Sequence, residues 1–219
     1  MICVRQLRHM ISVACAAALL HAVASAETLS DCHIGAYRLA DRSVIDIAPS
    51  DGDTLRWRSL DGTTGALHKR RDGGWTSTYG WTKRPEGKSV SFSDCATGEI
   101  HFGSVLGHRI RFEVTDTTFK SRDVELAGRL VLPKGRGPVP IVVLLHGAEN
   151  TSARDNYALQ RILPSQGVGT FVYDKRGTGG SGGKYTQDFE VLADDAVAAM
   201  REARRIAGTR MATECQSHR

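Results

Sequence analysis

Metal-binding spacings are missing from this sequence, which holds no Cys-x-x-Cys, no His-x-x-x-His and no His-Glu-x-x-His. The common zinc arrangements are thereby excluded, and neither a metal nor another cofactor is expected. Charge of one sign is never concentrated. The 29 Lys and Arg exceed the 24 Asp and Glu by five, yet no five like charges run together, so the basic balance reads as solvated surface and no nucleic-acid partner is expected. Aromatic residues make up only 6% of the chain, and its three tryptophans fall together at Trp57, Trp75 and Trp81. Long apolar runs are lacking after the first 26 residues. With 41% hydrophobic residues over 219 positions, the chain still has enough apolar material for a core.

The one long apolar run lies at the start. Arg5 and Arg8 precede an apolar stretch from Met10 to Val23, followed by Ala24-Ser25-Ala26 and a polar segment from Glu27. That stretch is too short for a stable membrane anchor, and small residues stand at the cleavage positions. Residues 1–26 are therefore expected to be a signal peptide, giving an exported, periplasmic or secreted protein without a stable membrane anchor. Cys3 and Cys15 would leave with it. Of the remaining Cys32, Cys95 and Cys215, the first two share a Ser-Asp-Cys context and are expected to pair in an oxidising compartment.

Two periods follow. From Cys32 to about Val105, short apolar stretches alternate with Asp51-Gly52, Asp61-Gly62, Asp72-Gly73 and Glu86-Gly87. This is the spacing of hairpins in a meander, and it predicts a small all-β domain over 27–107. A secreted, non-enzymatic binding protein that uses the tryptophans of this domain is one functional reading. Beyond it, Ile110, Phe112 and Val114 alternate, as do Val124, Leu126, Leu130 and Leu132 across Gly128. Ile141 to Leu145 and Val168 to Tyr173 read as strands buried on both faces. A helix is expected from the capping-box spacing at Ser152 to Asp155 as far as Pro164. A second should begin near Thr186, with Phe189, Leu192, Ala196, Val197, Met200, Ala203 and Ile206 on its apolar face. Strand, helix, strand, helix predicts a parallel sheet over 108–219.

The first buried strand runs into His146-Gly147-Ala148-Glu149, and the next into Asp174-Lys175-Arg176-Gly177-Thr178-Gly179-Gly180-Ser181. At these residues, over about 108–208, the chain resembles the α/β-hydrolase family, especially its secreted esterase, dienelactone-hydrolase and serine-aminopeptidase-like branches. The resemblance implies the N-terminal half of a mostly parallel α/β sheet with helices on both faces, preceded by the small antiparallel β domain. It also implies serine-dependent hydrolysis of a small-molecule acyl substrate, a carboxylic ester or a peptide. Ala148 would supply a backbone N–H to the oxyanion hole. His146, Gly147, Asp174, Arg176, Gly177, Gly179 and Ser181 would support the surrounding loops, with Arg176 as an internal anchor.

Two pattern matches lack their structural context. Gly179 to Gly183 satisfies G-x-S-x-G, but Ser181 has no strand running directly into it and no helix directly out. Gly177 to Gly182 satisfies G-x-G-x-x-G, but the acidic residues about 20 positions on, Asp194 and Asp195, fall inside a helix. No catalytic triad is recognisable. The family order places the nucleophile strand where Thr209 to Arg219 is polar, so the reading is an inactive, truncated or frame-shifted form, with Cys215 an accidental thiol.

Overall fold

The computed structural model describes residues 31–212. The expected signal segment, its cleavage point before Glu27, Cys215 and the polar tail from residue 213 lie outside them.

Strands β1 (Gly35–Leu39), β2 (Val44–Pro49), β3 (Leu55–Ser59), β4 (Thr64–Lys69), β5 (Trp75–Thr78), β6 (Pro85–Phe92), β7 (Glu99–Phe102) and β8 (Val105–Arg109) form a closed antiparallel barrel. Each pairs with the next, and β8 returns to β1 with Arg38 opposite His108. Closure leaves no strand edge open. Alternation places Ile45, Ile47, Leu55, Trp57, Leu67, Trp75, Ile100 and Phe102 in one interior core. The indole N–H of the buried Trp57 donates to Ser77 Oγ at 2.7 Å. Trp57 and Trp75 are thus core residues, whereas Trp81 is 74% exposed, with the Arg56 guanidinium 3.4 Å from its ring centre. Glu86-Gly87 lies within β6 and is not a turn; the chain reverses over 79–84. A disulfide joins Cys32 to Cys95, tying the 3-10 turn before β1 to the β6–β7 loop.

The second sheet contains β9 (Phe112–Ser121), β10 (Val124–Pro133), β11 (Ile141–Leu144) and β12 (Gly169–Tyr173), in the order β11-β12-β10-β9. Only β11 and β12 are parallel; β10 is antiparallel to both β9 and β12. The expected mostly parallel sheet with helices on both faces is therefore overturned, and strands dominate the described residues. The alternation at 110–132 belongs to one long hairpin, turning at Arg122-Asp123 with Arg122 at φ 53°. Hairpin connection makes that half of the sheet antiparallel.

The helix expected over 152–163 is two single turns, α1 (Ala153–Asn156) and α2 (Leu159–Ile162), interrupted where Tyr157 is extended. Helix α3 (Phe189–Ala207) is capped by Asp188, whose side chain accepts from the N–H groups of Glu190 and Val191. It buries Asp195, Ala199, Glu202, Ala203 and Ala207, whereas Phe189, Val197 and Met200 of the expected apolar face are exposed. Partnered acids account for the rotation. Arg176 forks onto Asp195 at 2.8 and 2.6 Å, and Glu202 accepts from Thr117 Oγ1 at 2.6 Å.

Barrel and sheet meet through a buried pair. Arg161 of α2 donates to both carboxylate oxygens of Asp46 on β2, at 2.5 and 3.0 Å, and Arg38 of β1 reaches the Ser165 carbonyl at 3.0 Å.

Candidate functional site

The parallel strands β11 and β12 end side by side, which brings the turn at 146–149 and the loop at 174–187 to the same edge of the sheet. Open sheets place ligand sites at such strand ends.

Asp174, wholly buried at the end of β12, holds this corner together. Its carboxylate accepts from Ser152 Oγ at 2.8 Å, the Arg154 N–H at 3.1 Å, Arg154 Nε at 2.9 Å and the Gly180 N–H at 3.0 Å. Burial works to raise its pKa, but the bonds from Gly180, Arg154 and Ser152 outweigh it and hold the carboxyl below the ordinary value. Gly179 packs directly on this carboxylate at φ 48°, where a Cβ would strike Asp174 Oδ2. At Gly177, φ 71°, a Cβ would strike the Tyr185 backbone. Both positions therefore need glycine.

Ser181 serves the same frame. Its hydroxyl donates to the Asp174 carbonyl at 2.6 Å and accepts the Ala127 N–H of β10 at 2.9 Å. Arg176 points away from the strand ends into its pair with Asp195.

The 146–149 turn is held from several sides. His146, its side chain 1% exposed, lies 2.6 Å from the Thr151 carbonyl through Nε2. A carbonyl only accepts, so that nitrogen carries the proton. Nδ1 has no hydrogen-bond partner and faces Glu149 Oε2 at 3.9 Å. The Gly147 N–H donates to Tyr157 Oη at 2.8 Å. The Gly147 carbonyl accepts from Lys175 Nζ at 2.9 Å. The Ala148 carbonyl accepts from Tyr185 Oη and, at 3.2 Å, from Gln187 Nε2.

Because a trans peptide is planar, its C=O and N–H point in opposite directions. Lys175, by holding the Gly147 carbonyl, fixes the direction of the Ala148 N–H in the same peptide. That N–H has no hydrogen-bond partner among the described residues.

The sequence reading did not single out Lys175, Tyr185, Gln187, Tyr157, Arg154 or Asp195 for these roles. Lys175 stands between Asp174 and Arg176 with no local signal of its own, and its burial to 1% exposure comes from the tertiary fold. One group of metal-capable residues occurs among the described residues, Cys32, His33 and Cys95. Its two sulfurs are bonded to each other and offer no thiolate.

Residues 136–217 match the sequence model of the serine aminopeptidase S33 family. A hypothetical protein from Pseudomonas aeruginosa is similar at 25% identity over 42% of this chain and 30% of its own, with a TM-score of 0.39. A Pyrococcus furiosus esterase is similar at 26% identity over 46% of this chain and 39% of its own, with a TM-score of 0.39. A Pyrococcus horikoshii acylaminoacyl peptidase shares 16% identity over 75% of this chain and 37% of its own, with a TM-score of 0.34. The chain thus spans 30% to 39% of the length of the first solved structures it matches. No curated protein matches it. The family match covers the His-Gly turn, the Asp-x-Arg-Gly loop and α3, and runs on to residue 217, into the polar stretch from Thr209 that the frame-shifted reading rested on. The match over residues 136–217 is consistent with an α/β-hydrolase superfamily member.

Proposed function

We propose that this segment forms the oxyanion-binding part of a serine-dependent acyl hydrolase acting on a small carboxylic ester or peptide. The observation that carries the reading is the Ala148 N–H, unpartnered and aimed by a peptide whose carbonyl is held by Lys175. A tetrahedral intermediate carries negative charge on the former carbonyl oxygen. A fixed N–H stabilises that charge without having to reorganise, an effect worth about 3 kcal/mol when such a donor is removed. The ammonium of Lys175 polarises the same peptide and strengthens its N–H as a donor.

The described residues contribute the donor and its frame, not the attacking group. The hydroxyls of Ser152, Ser165 and Ser181 donate to Asp174, to the Ile162 carbonyl and to the Asp174 carbonyl, and none bonds to a histidine. Serine chemistry needs a nucleophile activated by an adjacent base, so these residues alone are assigned no turnover.

The test is an amide NMR titration of the 15N-labelled chain with methylphosphonate, a stable tetrahedral oxyanion. The Ala148 resonance should move downfield and saturate. An Ala148 amide that stays fixed while other signals move overturns the assignment.

A further inference from the structure

We infer that the cleft between the barrel and the second sheet binds a small organic anion with an apolar body, a medium-chain carboxylate in chemical class. This cleft has a volume of about 520 Å³, within the range of small-ligand sites, which favour junctions of this kind. None of residues 146–149 lines it, so it is separate from the oxyanion turn.

Its charge is one-sided. Arg109, Arg111, Arg129, Lys134 and Arg161 line it, and no Asp or Glu does. Two of the five are neutralised from behind, Arg129 by Asp116 and Arg161 by Asp46. Arg109 donates to the neutral Tyr37 hydroxyl at 2.8 Å and leaves its buried Nε without a partner. Arg111 and Lys134 have no ion pair or hydrogen bond among the described residues. Three cations therefore face a shared recess without a counter-charge, and low-dielectric walls focus such a field toward an incoming anion.

The walls are apolar. Ile34, Ile110, Phe112, Val114 and Val131 line the same recess, and Val114 is 54% exposed there. An apolar side chain left in water beside unpaired cations matches a ligand carrying a tail and one anionic head. The cleft has neither a glycine-rich nest nor the start of a long helix to cradle a phosphate, which favours a carboxylate.

Arg129 Nη1 lies 3.4 Å from the Arg154 carbonyl, and Arg154 is bound to Asp174.

Calorimetric titrations of the full chain with octanoate, octanol, acetate and inorganic phosphate test the inference. Octanoate should bind, and octanol and acetate should each bind at least about tenfold more weakly, since each lacks one of the two recognition elements. The double variant Arg111→Gln/Lys134→Gln, exposed and bonded to nothing, should keep its far-UV circular dichroism and lose about tenfold in octanoate affinity. Val114→Asp, which puts an anion at the mouth, should lose at least as much. Octanol binding as tightly as octanoate, phosphate or acetate binding equally well, no octanoate binding, or affinity unchanged in the folded variants would each overturn it.

Discussion

Lys175 Nζ donates to the Gly147 carbonyl at 2.9 Å, and the two residues come from the ends of neighbouring parallel strands. The Tyr185 ring lies 4.3 Å from the same ammonium, and the Tyr185 hydroxyl bonds the next carbonyl, that of Ala148. One loop therefore sets two successive peptide planes of the turn. A loop reaching the surface would otherwise rotate these peptides freely, and a donor of undefined direction stabilises little.

Replacing Lys175 with Met keeps the volume of the stem and removes the donor. The Ala148 amide signal should shift and broaden as its peptide is released. Stability should fall by about 1.5–3 kcal/mol, the worth of a hydrogen bond from a charged group. Arg at this position should restore the signal in large part. An unchanged Ala148 resonance in a folded Lys175→Met protein would show that the turn is set by other contacts.

How far the sequence reveals this arrangement depends on the range of the interactions. The β domain was visible through local alternation and Asp-Gly turns. The Cys32–Cys95 pair was visible through its repeated context. Strands β11 and β12 were visible as apolar runs. Closure of the barrel depends on β1 meeting β8, a pairing that no local pattern encodes. The antiparallel half of the second sheet was misread because an apolar strand has the same composition in either direction. On α3, periodicity pointed to Val197 and Met200, but the buried face includes Asp195 and Glu202, whose partners Arg176 and Thr117 lie 19 and 85 residues away. Lys175 escaped for the same reason: burial of a lysine is decided by a distant carbonyl.

Asp174 makes acid stability a readout of the corner. Its folded pKa is depressed below the ordinary 3.8. Its contribution should therefore be complete above the unfolded pKa of about 4 and fade as pH falls through the lower folded value. Asp174→Asn should cost about 3 kcal/mol at neutral pH. The gap between the two proteins should narrow in urea titrations taken below pH 4. A gap independent of pH would assign the effect to packing alone.

The Asp46–Arg161 pair should couple the barrel to the sheet. Arg161→Met leaves the wholly buried Asp46 carboxylate without its bonded partner, Arg58 being the remaining nearby charge, at a cost of about 3 kcal/mol. Adding Asp46→Asn should recover a large part of that loss, because the stranded charge is gone. Denaturation of both single variants and the double variant gives the coupling directly. Additive losses would mean that the pair carries no interaction beyond its separate contacts.

Ser181 is the serine whose local sequence imitates a nucleophile, and its bonds predict otherwise. Its proton is committed to the Asp174 carbonyl, while its oxygen accepts the Ala127 N–H. No histidine bonds to it, so no base is in place to take the proton from Oγ. A fluorophosphonate probe should therefore leave Ser181 unlabelled, and Ser181→Ala should leave the rate of p-nitrophenyl acetate hydrolysis unchanged. Ser181→Ala should instead appear in folding. Removing the hydroxyl unpairs one carbonyl and one N–H between β10 and the end of β12, and about 1–2 kcal/mol of stability should be lost. A catalytic serine gives the opposite pattern: stoichiometric labelling that Ser181→Ala abolishes, with little change in the denaturation midpoint. That outcome would move the nucleophile into this loop and require the loop to open before reaction.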